Sequence, residues 1–511
     1  MKKTLLLLSL TLTLHSTIKS QSKYFERVYD VQDVSDARKL FLNPDGTYIV
    51  IGTALSYSNY KWLPYYMRLN EFGDTLALHQ YPNPDFSTPA WDAVKTQFGY
   101  AISVTQSQSD TTEIWRAYLM RISHNGNLLD MNPTGTNTVY HSVGRSILQT
   151  SDGGYILAGL AKPTISSYIK LYIVKLSADG STEWEKVYDN FSYHNEFFDI
   201  LPALDGGYYA LGSVKRWQTW VAFEGWQYTG DMLLYKLDGN GEIEWQKTYF
   251  ENGDAEGPIS FCQSEDGSFY IAGERNYYTE LFLKLDTAFT IQWQYFEGED
   301  EGQPSYITFA PDGNLLISGN SHLGSTNGYV KKVALDGEIL WKRIYGDAGH
   351  DYFYTHLILP DGSILLGGRN DIGAAAVYIV KTNCMGLLPQ PAAAFSYEPQ
   401  GANEIQFTNI SLYAYPDSTD GGYYIWDFGD GSPPYLCGQG YAPCTGSTLT
   451  HQYPASGSYL VTLTTIVCSD TSMVQALIDT ESGGGTVGAP PQPPEQSGQV
   501  PSQARGGVLK W

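Results

Sequence analysis

The stretch SDGGYILAG, at residues 151–159, decides the fold, because close copies of it return along most of the chain. Asp-Gly suits a tight hairpin turn, since glycine accepts positive φ without steric cost, and the residues that follow alternate as in a half-buried strand. The other copies are NPDGTYIVIG (43–52), a worn copy TQFGYAISV (96–104), LDGGYYALG (204–212), EDGSFYIAG (265–273), PDGNLLISG (311–319) and PDGSILLGG (360–368). Seven copies at a period of roughly 50 residues predict a repeat architecture.

A second phrase marks a further strand in most repeats. It follows strands such as IVKL that end in a turn, so each repeat is predicted to hold four short antiparallel strands. Four-stranded repeats of this length are the blades of β-propellers, whose neighbouring sheets bury each other's faces. The copies of the second phrase are EWEKVYD (183–189), EWQKTYF (244–250), QWQYFEG (292–298) and LWKRIYG (340–346).

The two ends of the array predict a closed ring. The last repeat contains VYIVKTNC (377–384) but no fourth strand, whereas KYFERVYD (23–30) matches the fourth-strand phrase. We expect residues 23–30 to complete the last sheet, because an open array leaves unpaired edges. Residues 22–385 are therefore predicted to form a seven-bladed β-propeller, with six or eight blades as the alternative counts.

These phrases resemble the propeller repeats, akin to delta-60 repeats, of large secreted proteins from Bacteroidetes-like bacteria. The resemblance rests on W-x-K-x-Y, DGGYILAG and the "vKL" strand, and it covers about residues 22–385. It implies a fold and an export route but no single activity.

The composition changes after Cys384, through a linker at 386–391. The phrases YYIWDFGDGS (423–432) and HQYPASGSYLVTLTT (451–465) resemble a PKD domain, which implies an immunoglobulin-like β-sandwich over 392–480. The fold class of the whole chain is thus predicted to be all-β. Residues 481–511 are rich in Gly, Pro and Gln, so we predict a disordered tail.

Residues 1–20 predict a signal peptide. Two lysines precede an apolar stretch, Leu5 to Leu14, that is shorter than the roughly 20 residues needed to span a bilayer. We see no lipoprotein cysteine after it, no later transmembrane segment and no visible type IX sorting domain. We therefore expect a secreted or cell-surface protein, and a monomer.

Five cysteines in an exported chain favour disulfides. Cys437 and Cys444 lie close together in one loop and are the first predicted pair. Cys384 with Cys468 is the second candidate pair, and Cys262 is predicted to be a buried free thiol. None of them has the spacing of a zinc site.

The charge balance excludes one class of partner. The chain has 54 acidic against 31 basic residues, a formal net charge of −23 that repels phosphate backbones, so we predict no binding to nucleic acid. The predicted partner is a glycan or an extracellular protein. No cofactor is predicted, and a calcium ion on acidic loops is the open alternative.

Aromatic residues crowd one long connection, at 214–231. Trp217, Trp220, Trp226 and Tyr228 are candidate ligand-binding residues, because aromatic faces stack on the apolar faces of sugar rings. The alternative is a loop that packs on itself.

Acidic connections between repeats give a second set of candidates, namely Glu256, Glu301, His350 and Asp351. In most repeats an acidic residue stands 9 to 11 positions before the hairpin aspartate. This regularity favours a structural role, such as capping loop amides or pairing between blades, and a cation or substrate site is the alternative. The acidic residues are Asp36, Glu196, Glu256, Glu301 and Asp351.

The sequence contains no GxSxG, HExxH, phosphate-loop or dinucleotide motif, and no catalytic residues are predicted. We therefore expect an exported, non-enzymatic binding or adhesion protein, with the loop face of the propeller on the ligand and the sandwich as a spacer or second contact. The alternatives are a hydrolase or lyase acting on polysaccharides, and a purely structural surface protein.

Overall fold

The computed structural model contains β-strands and no helix in the part of the chain that it describes. That part is residues 22–488 and 509–510, apart from 109–113, 137, 190–193, 222–224, 250–255, 276–278, 298–301, 322–325, 347–348, 372, 374, 414–421, 439, 443, 445–446 and 482. The all-β prediction is confirmed there, and none of these residues belongs to a helix that is long and apolar enough to cross a membrane. The predicted signal peptide lies outside the described residues.

Seven antiparallel sheets follow one another through the described residues of 25–382. The chain enters with β1 (Phe25–Tyr29), which belongs to the seventh sheet. The first three sheets hold β2 (Val34–Leu42), β3 (Tyr48–Ser56), β4 (Lys61–Leu69) and β5 (Thr75–Gln80); β6 (Phe86–Ser87), β7 (Ala90–Thr96), β8 (Gly99–Gln108), β9 (Trp115–Ser123) and β10 (Leu128–Pro133); and β11 (His141–Gln149), β12 (Tyr155–Lys162), β13 (Lys170–Leu176) and β14 (Thr182–Tyr188).

The remaining four sheets repeat the same order of strands. They hold β15 (Asn195–Pro202), β16 (Tyr208–Val221), β17 (Gly225–Leu237) and β18 (Ile243–Tyr249); β19 (Glu256–Gln263), β20 (Phe269–Arg275), β21 (Thr279–Leu285) and β22 (Ile291–Glu297); β23 (Gln303–Phe309), β24 (Leu315–Ser321), β25 (Asn327–Val333) and β26 (Ile339–Tyr345); and β27 (Asp351–Ile358), β28 (Ile364–Asn370) and β29 (Ala376–Thr382), which β1 completes. This is a propeller-like array.

The array is held together by apolar layers between successive sheets. Between the third and fourth sheets, for example, Ile173, Phe197 and Tyr235 are fully buried in one cluster. Strand alternation directs one set of side chains to each neighbouring sheet, so inner strands such as β3 are buried on both faces, whereas outer strands such as β5 are partly exposed.

The Asp-Gly turns and the "vKL" strands are linked by ion pairs, which explains why the two phrases recur together. Lys175 on β13 contacts the hairpin residue Asp152 at 2.9 Å, and Lys236 on β17 contacts Asp205 at 2.7 Å. Both ammonium groups lie on nearly buried side chains, while their carboxylate partners remain exposed.

The seventh sheet is completed by the first strand of the chain. β1 pairs antiparallel with β29, with Phe25 opposite Lys381 and Tyr29 opposite Val377. β2 packs against β27 and β28 across the same junction. The first and last sheets are therefore neighbours.

One backbone hydrogen bond recurs between successive sheets and also crosses this junction. The N–H of Ser35, in the first sheet, donates to the carbonyl of Ala375, in the seventh, at 2.8 Å. The same bond joins earlier neighbours, from Thr88 to Trp62, from Asn195 to Ile169 and from Asp351 to Thr326. The junction has the same backbone geometry as the contacts within the array.

β1 is also tied to the first sheet by side chains. The Tyr29 hydroxyl donates to the Gly73 carbonyl at 2.6 Å, and Arg27 pairs with Asp74 at 2.7 Å. Phe25 is buried in the cluster that joins the first and seventh sheets, with its ring so close to Gly73 that a Cβ there would lie 2.7 Å away. The N-terminal strand thus bridges the two ends of the array.

The C-terminal part is a sandwich of two four-stranded sheets. Its core is aromatic, with Phe395 5.3 Å from Trp426 and Phe407 5.4 Å from Phe428 between ring centroids. The sheets run β34-β31-β30-β37 and β33-β32-β35-β36, with β30 (Phe395–Gly401), β31 (Glu404–Asn409), β32 (Tyr423–Asp427), β33 (Tyr435–Gly438), β34 (Thr448–Gln452), β35 (Ser458–Val467), β36 (Asp470–Asp479) and β37 (Gly485–Val487).

Two short segments within residues 481–511 are paired as strands. β37 pairs with β30 and extends the sandwich past residue 480, because its extended backbone supplies the hydrogen bonds that the edge of that sheet lacks. Near the end of the chain, β38 (Leu509–Lys510) pairs with β22 in the fifth sheet. Residues 489–508 and 511 lie outside the described residues.

The array and the sandwich are joined covalently. Cys384, just after β29, forms a disulfide with Cys468 in the turn between β35 and β36, and Cys437 forms a second one with Cys444. Both predicted disulfides are confirmed, and Cys262 is a free, half-buried thiol. Two disulfides fit an extracellular protein.

The same junction includes the start of β1. The hydroxyl of Tyr24, a buried residue, donates to the Asp470 carboxylate at 2.5 Å, and Lys23 pairs with Asp470 at 2.6 Å. The chain entry, the end of the array and the sandwich therefore meet at one point.

Candidate functional site

Each of the seven first strands carries a β-bulge at the same point. A bulge adds one unpaired residue and re-aims the side chains beside it. The bulge residues, from the first sheet to the seventh, are Arg38, Trp91, Arg145, Phe198, Ile259, Ser305 and Tyr354.

The bulge residues and the residues that follow them line one cavity, of about 310 Å³. Each sheet contributes two side chains, so the cavity lies where the first strands converge. We call the seven bulge residues the bulge layer. The seven that follow are the clamp layer: Lys39, Asp92, Ser146, Asp199, Ser260, Tyr306 and Thr355.

The clamp layer is a network of polar contacts between sheets. Lys39, from the first sheet, pairs with Asp92 of the second at 3.0 Å and lies 3.4 Å from the Tyr306 hydroxyl of the sixth. The Ser146 hydroxyl lies 3.4 Å from Asp92 and 3.2 Å from Asp199 and can donate its one proton to either carboxylate. The network thus joins sheets through their innermost strands.

The carboxylate of Asp199 has further partners. It accepts hydrogen bonds from the Ser260 hydroxyl at 3.1 Å and from the backbone N–H groups of Ile200 and Phe261. Burial raises the pKa of Asp199 to about 6; the Lys39 ammonium opposes this shift and the Asp92 carboxylate adds to it. Asp199 therefore titrates within the physiological range.

The buried positive charge of Lys39 is held by its partners. Burial on its own would lower the pKa of Lys39, but the Asp92 carboxylate, helped by Tyr306, outweighs burial and raises it. Nearby, burial lowers the pKa of His356 to about 3, so this imidazole is neutral between the hydroxyls of Ser318 (2.8 Å) and Thr308 (2.7 Å).

The bulge layer is different, because cations and aromatic rings alternate in it. The Arg145 guanidinium lies 4.2 Å from the ring centroid of Trp91, and the Arg38 guanidinium lies 5.0 Å from that of Tyr354 and 5.9 Å from that of Trp91. The Trp91 indole N–H donates to Thr105 Oγ1 at 2.8 Å, which fixes the ring. These four side chains form an arc over the seventh, first, second and third sheets.

The two arginines of this arc differ in their partners. Arg38 makes two hydrogen bonds to Asp36, from Nε at 2.9 Å and from Nη2 at 2.8 Å. Arg145 reaches Glu196 only through Nη2, at 3.4 Å, and its Nε is buried without a hydrogen-bond partner. Arg145 therefore retains donor capacity that Arg38 has already used.

The predicted aromatic connection at 214–231 is a β-hairpin rather than a loop. Strands β16 and β17 continue past the sheet as a two-stranded ladder, with Trp220 opposite Trp226 and Gln218 opposite Tyr228. The alternation of bulky residues on both arms suits an extended ladder. Trp217 lies beside a register shift on the first arm.

The predicted acidic candidates lie in separate places. Glu256 begins β19 opposite Arg275, and Glu301 lies outside the described residues. His350 is exposed just before β27, whereas Asp351 is fully buried and accepts a hydrogen bond from Asn370 at 2.6 Å. Asp351 and Asp36 both contact polar groups within the protein. Such contacts are of the kind expected if these acidic residues cap loops or pair between sheets.

The cavity residues were missed by the sequence analysis, although a signal for them exists. Six bulge residues stand seven positions before the hairpin aspartate, and Trp91 stands seven positions before Phe98 in the worn copy. The side chains at this position share no chemical type, so a search for one residue type passes over them.

The described residues contain no group of three or more His, Cys, Asp or Glu side chains that could hold a metal ion. Calcium binding therefore stays a prediction for the acidic connections that lie outside the described residues.

The sandwich matches a known family. Residues 394–473 fit the family model of the PKD domain. This segment is a PKD domain. The predicted resemblance is thereby confirmed, and such domains are typical of extracellular proteins. No curated protein matches the chain.

The chain is similar to several solved structures at low sequence identity. The GH93 α-L-arabinofuranosidase of Fusarium graminearum with arabinobiose is 10% identical, covering 72% of this chain and 100% of that one, with a TM-score of 0.43. BBS1N in complex with ARL6DN is 10% identical, covering 71% and 98%, with a TM-score of 0.41. A member of the DUF4221 family from Bacteroides vulgatus is 9% identical, covering 57% and 91%, with a TM-score of 0.34. These values carry no argument about activity.

Asp199 gives a prediction on stability. Its folded pKa of about 6 exceeds the unfolded value of 3.8, so its contribution is fully present below about pH 4 and is lost as the pH rises through 6. Asp199→Asn removes this titration. Between pH 4 and pH 7, the free energy of unfolding of the native protein should fall by about 2 kcal/mol more than that of the variant. Urea titrations at each pH measure this difference, and parallel pH profiles would contradict the assignment.

Proposed function

We propose that this chain is an exported binding protein that engages a glycan through the central cavity of its propeller-like array. The PKD domain serves as a spacer and as a clamp on the point where the array closes. The predicted signal peptide and the two disulfides support export to the cell surface or beyond.

We further infer that the seven sheets are the blades of one closed propeller of the delta-60-like repeat class found in secreted bacterial proteins. The pairing of β1 with β29 supports closure, as does the recurrence of the inter-sheet bond at Ser35. The equal contribution of every first strand to the cavity supports the count of seven blades.

One observation carries the glycan proposal. Aromatic rings, guanidinium groups and hydroxyls converge on a single cavity whose volume lies at the lower end of the range for small-molecule sites. Hydroxyl-bearing side chains match sugar hydroxyls, and tyrosine and tryptophan combine an apolar face with a polar edge. The cavity has room for a small ligand or for the end of a longer glycan.

The carboxylates of the cavity argue against a catalytic role. Asp92 is paired with Lys39 and accepts from the Ile147 N–H at 3.1 Å, and Asp199 accepts hydrogen bonds from Ser146, Ser260 and Phe261 of neighbouring sheets and from the Ile200 N–H of its own strand. A general acid or base must lie within about 3 Å of the substrate proton that it transfers. The contacts of both carboxylates within the protein hold them away from such a position.

A polysaccharide hydrolase is the second candidate. It is favoured by one observation: two carboxyl groups share a hydroxyl partner in the cavity, and one of them has a pKa of about 6. Reducing-sugar release from a panel of polysaccharides tests it. If native protein releases sugar and both Asp92→Asn and Asp199→Asn do not, the protein is an enzyme.

The hairpin formed by β16 and β17 is a further proposed contact for a long glycan, through Trp217, Trp220, Trp226 and Tyr228. The acidic candidates Glu256, Glu301, His350 and Asp351 remain proposals as a rim site. The variant Trp217→Ala/Trp220→Ala tests the hairpin, because it should weaken binding of long chains while leaving disaccharides unaffected.

A glycan array with native protein, followed by calorimetry on each hit, tests the proposed function. We expect Trp91→Ala to weaken binding at least tenfold, because this ring holds both guanidinium groups of the arc. Trp115→Ala is the matched control, since Trp115 lies partly exposed at the start of β9 and does not line the described cavity. Equal losses in both variants, or no hit with folded protein, would overturn the proposal.

A further inference from the structure

We propose that the cavity recognises the carboxylate of an acidic sugar, a uronate, with Arg145 as its principal contact. This inference rests on the proposed glycan-binding function and names the class of glycan.

The charge of the bulge layer is the first observation. The layer carries two guanidinium groups and no carboxylate, in a chain whose formal net charge is −23. Asp36 and Glu196 lie beside the arginines, outside the lining of the described cavity. Arg38 is already held by two hydrogen bonds to Asp36 and Lys39 by its ion pair with Asp92, which leaves Arg145 as the cation of the cavity with the weakest carboxylate contact.

The unused donors of Arg145 are the second observation. Its one contact with Glu196 is long at 3.4 Å, and the buried Nε has no acceptor. Arg145 therefore has less of its hydrogen-bonding capacity in use than Arg38, which makes two bonds to Asp36. A planar carboxylate can accept two parallel N–H bonds from a guanidinium, which is the geometry of a bidentate pair.

Trp91 holds the Arg145 guanidinium in place. Arg145 Cζ lies 4.2 Å from the centroid of the indole ring, which is itself fixed by a hydrogen bond to Thr105. A cation–π contact of this kind restrains a guanidinium without using its in-plane N–H donors.

The rest of the lining favours a sugar as the carrier of the carboxylate. Five hydroxyl-bearing residues line the cavity, namely Ser146, Ser260, Ser305, Tyr306 and Thr355; the Ser146 and Ser260 hydroxyls can donate to Asp199 and keep their acceptor capacity. These groups both donate and accept hydrogen bonds, as sugar hydroxyls do. An acidic peptide has few hydroxyls to match them.

Asp199 makes the proposed binding depend on pH. Lys39 and Asp92 are the charged groups that act on it within the cavity, and Cys262 lies close enough for the two to interact electrostatically. Below about pH 6 the Asp199 carboxyl is neutral, while a sugar carboxylate, with a pKa of roughly 3.5, stays charged. We expect uronate binding to strengthen several-fold from pH 7 to pH 5, and Asp199→Asn to remove this dependence.

Isothermal calorimetry on the full mature chain tests the proposal, with two matched pairs of probes. These are digalacturonate against galactobiose, and cellobiouronate against cellobiose. Native protein should bind at least one uronate tenfold or more tightly than its neutral partner. Arg145→Gln should remove that preference. Arg145→Lys should retain only part of it, because lysine keeps the positive charge but lacks the planar set of N–H donors.

Lys95→Gln is the control variant, because it removes one positive charge from β7 at a side chain that contacts the Leu42 carbonyl away from the cavity. It should leave the preference unchanged. Thermal melts establish folding, and the Arg145→Lys variant carries the test if Arg145→Gln does not fold.

The outcomes separate the two proposals. Equal binding of neutral and acidic sugars, or an undiminished preference in Arg145→Gln, overturns the uronate inference and leaves glycan binding intact. Failure of every array glycan and all four probes to bind folded protein overturns both. Binding of a triglutamate peptide in place of the sugars overturns the sugar assignment.

Discussion

Phe25→Ala is expected to lower the free energy of unfolding by about 3–5 kcal/mol, the usual cost of truncating a buried phenylalanine. Phe25 lies on β1, yet it is buried in the cluster shared by the first and seventh sheets, whose members include Leu69 and Ile379. Its loss removes packing from the closure of the array rather than from one sheet. Urea denaturation followed by tryptophan fluorescence measures the change.

Val28→Ala is the matched control for this prediction. Val28 lies on the same strand but is half exposed, so the substitution should change stability by less than about 0.5 kcal/mol. Equal, small effects of both substitutions would mean that β1 does not seal the array.

Cys384→Ser/Cys468→Ser is expected to have the second large effect. The chain-entropy model assigns about 4–5 kcal/mol to a crosslink with a sequence separation of 84. The disulfide also holds the β35–β36 turn, and with it Asp470, against Tyr24 and Lys23 at the entry to β1. Removing it should therefore lower the stability of the array as well as that of the PKD domain.

The second disulfide supplies the comparison. Cys437→Ser/Cys444→Ser opens a crosslink with a sequence separation of only 7, for which the same model gives about 2–2.5 kcal/mol, and its effect should stay within the PKD domain. Hydrogen–deuterium exchange distinguishes the two variants. Faster exchange in β1 and β29 is expected only for Cys384→Ser/Cys468→Ser, and its absence would contradict the clamp role of the PKD domain.

The repeat was readable from the sequence because each of its signals is local. Asp-Gly turns follow from the φ that glycine allows, as at Gly153 with φ of 83°, and the phrases on either side follow strand alternation. The PKD domain was readable because its turn is short and specific. The Asp430 carboxylate accepts from the Ser432 hydroxyl and contacts the His451 ring, and these side-chain contacts require these residue types at this spacing.

The candidate cavity was not readable, because it depends on contacts between residues some fifty positions apart. A bulge changes the direction in which a side chain points. Nothing in the sequence next to either arginine of the arc indicates that a bulge lies there. The pairing of Lys39 with Asp92, and the bridge from Ser146 to Asp199, exist only once the sheets are side by side. The signal that could have found the cavity residues is their constant position, seven residues before the hairpin turn, rather than their residue type.

The hairpin formed by β16 and β17 shows a different limit. Its residues alternate well enough for a strand, but the repeat predicts a short connection at that point, so the extra length was interpreted as a loop. The ladder continues because Lys215 to Val221 finds partners from Gly225 to Gly230 on the opposite arm. Strand length here is set by pairing rather than by the repeat.

The central claim is that the first strand closes the array, because the cavity exists only in a closed ring. Engineered cysteines test it most directly. In a Cys262→Ser background, Glu26→Cys/Val380→Cys places thiols at residues directly opposite each other, where a disulfide is sterically allowed. Mass mapping of the oxidised protein should find this crosslink, and should not find one in the off-register pair Glu26→Cys/Thr382→Cys. Absence of the first crosslink in folded protein would contradict closure by β1, and with it the placement of the ligand site.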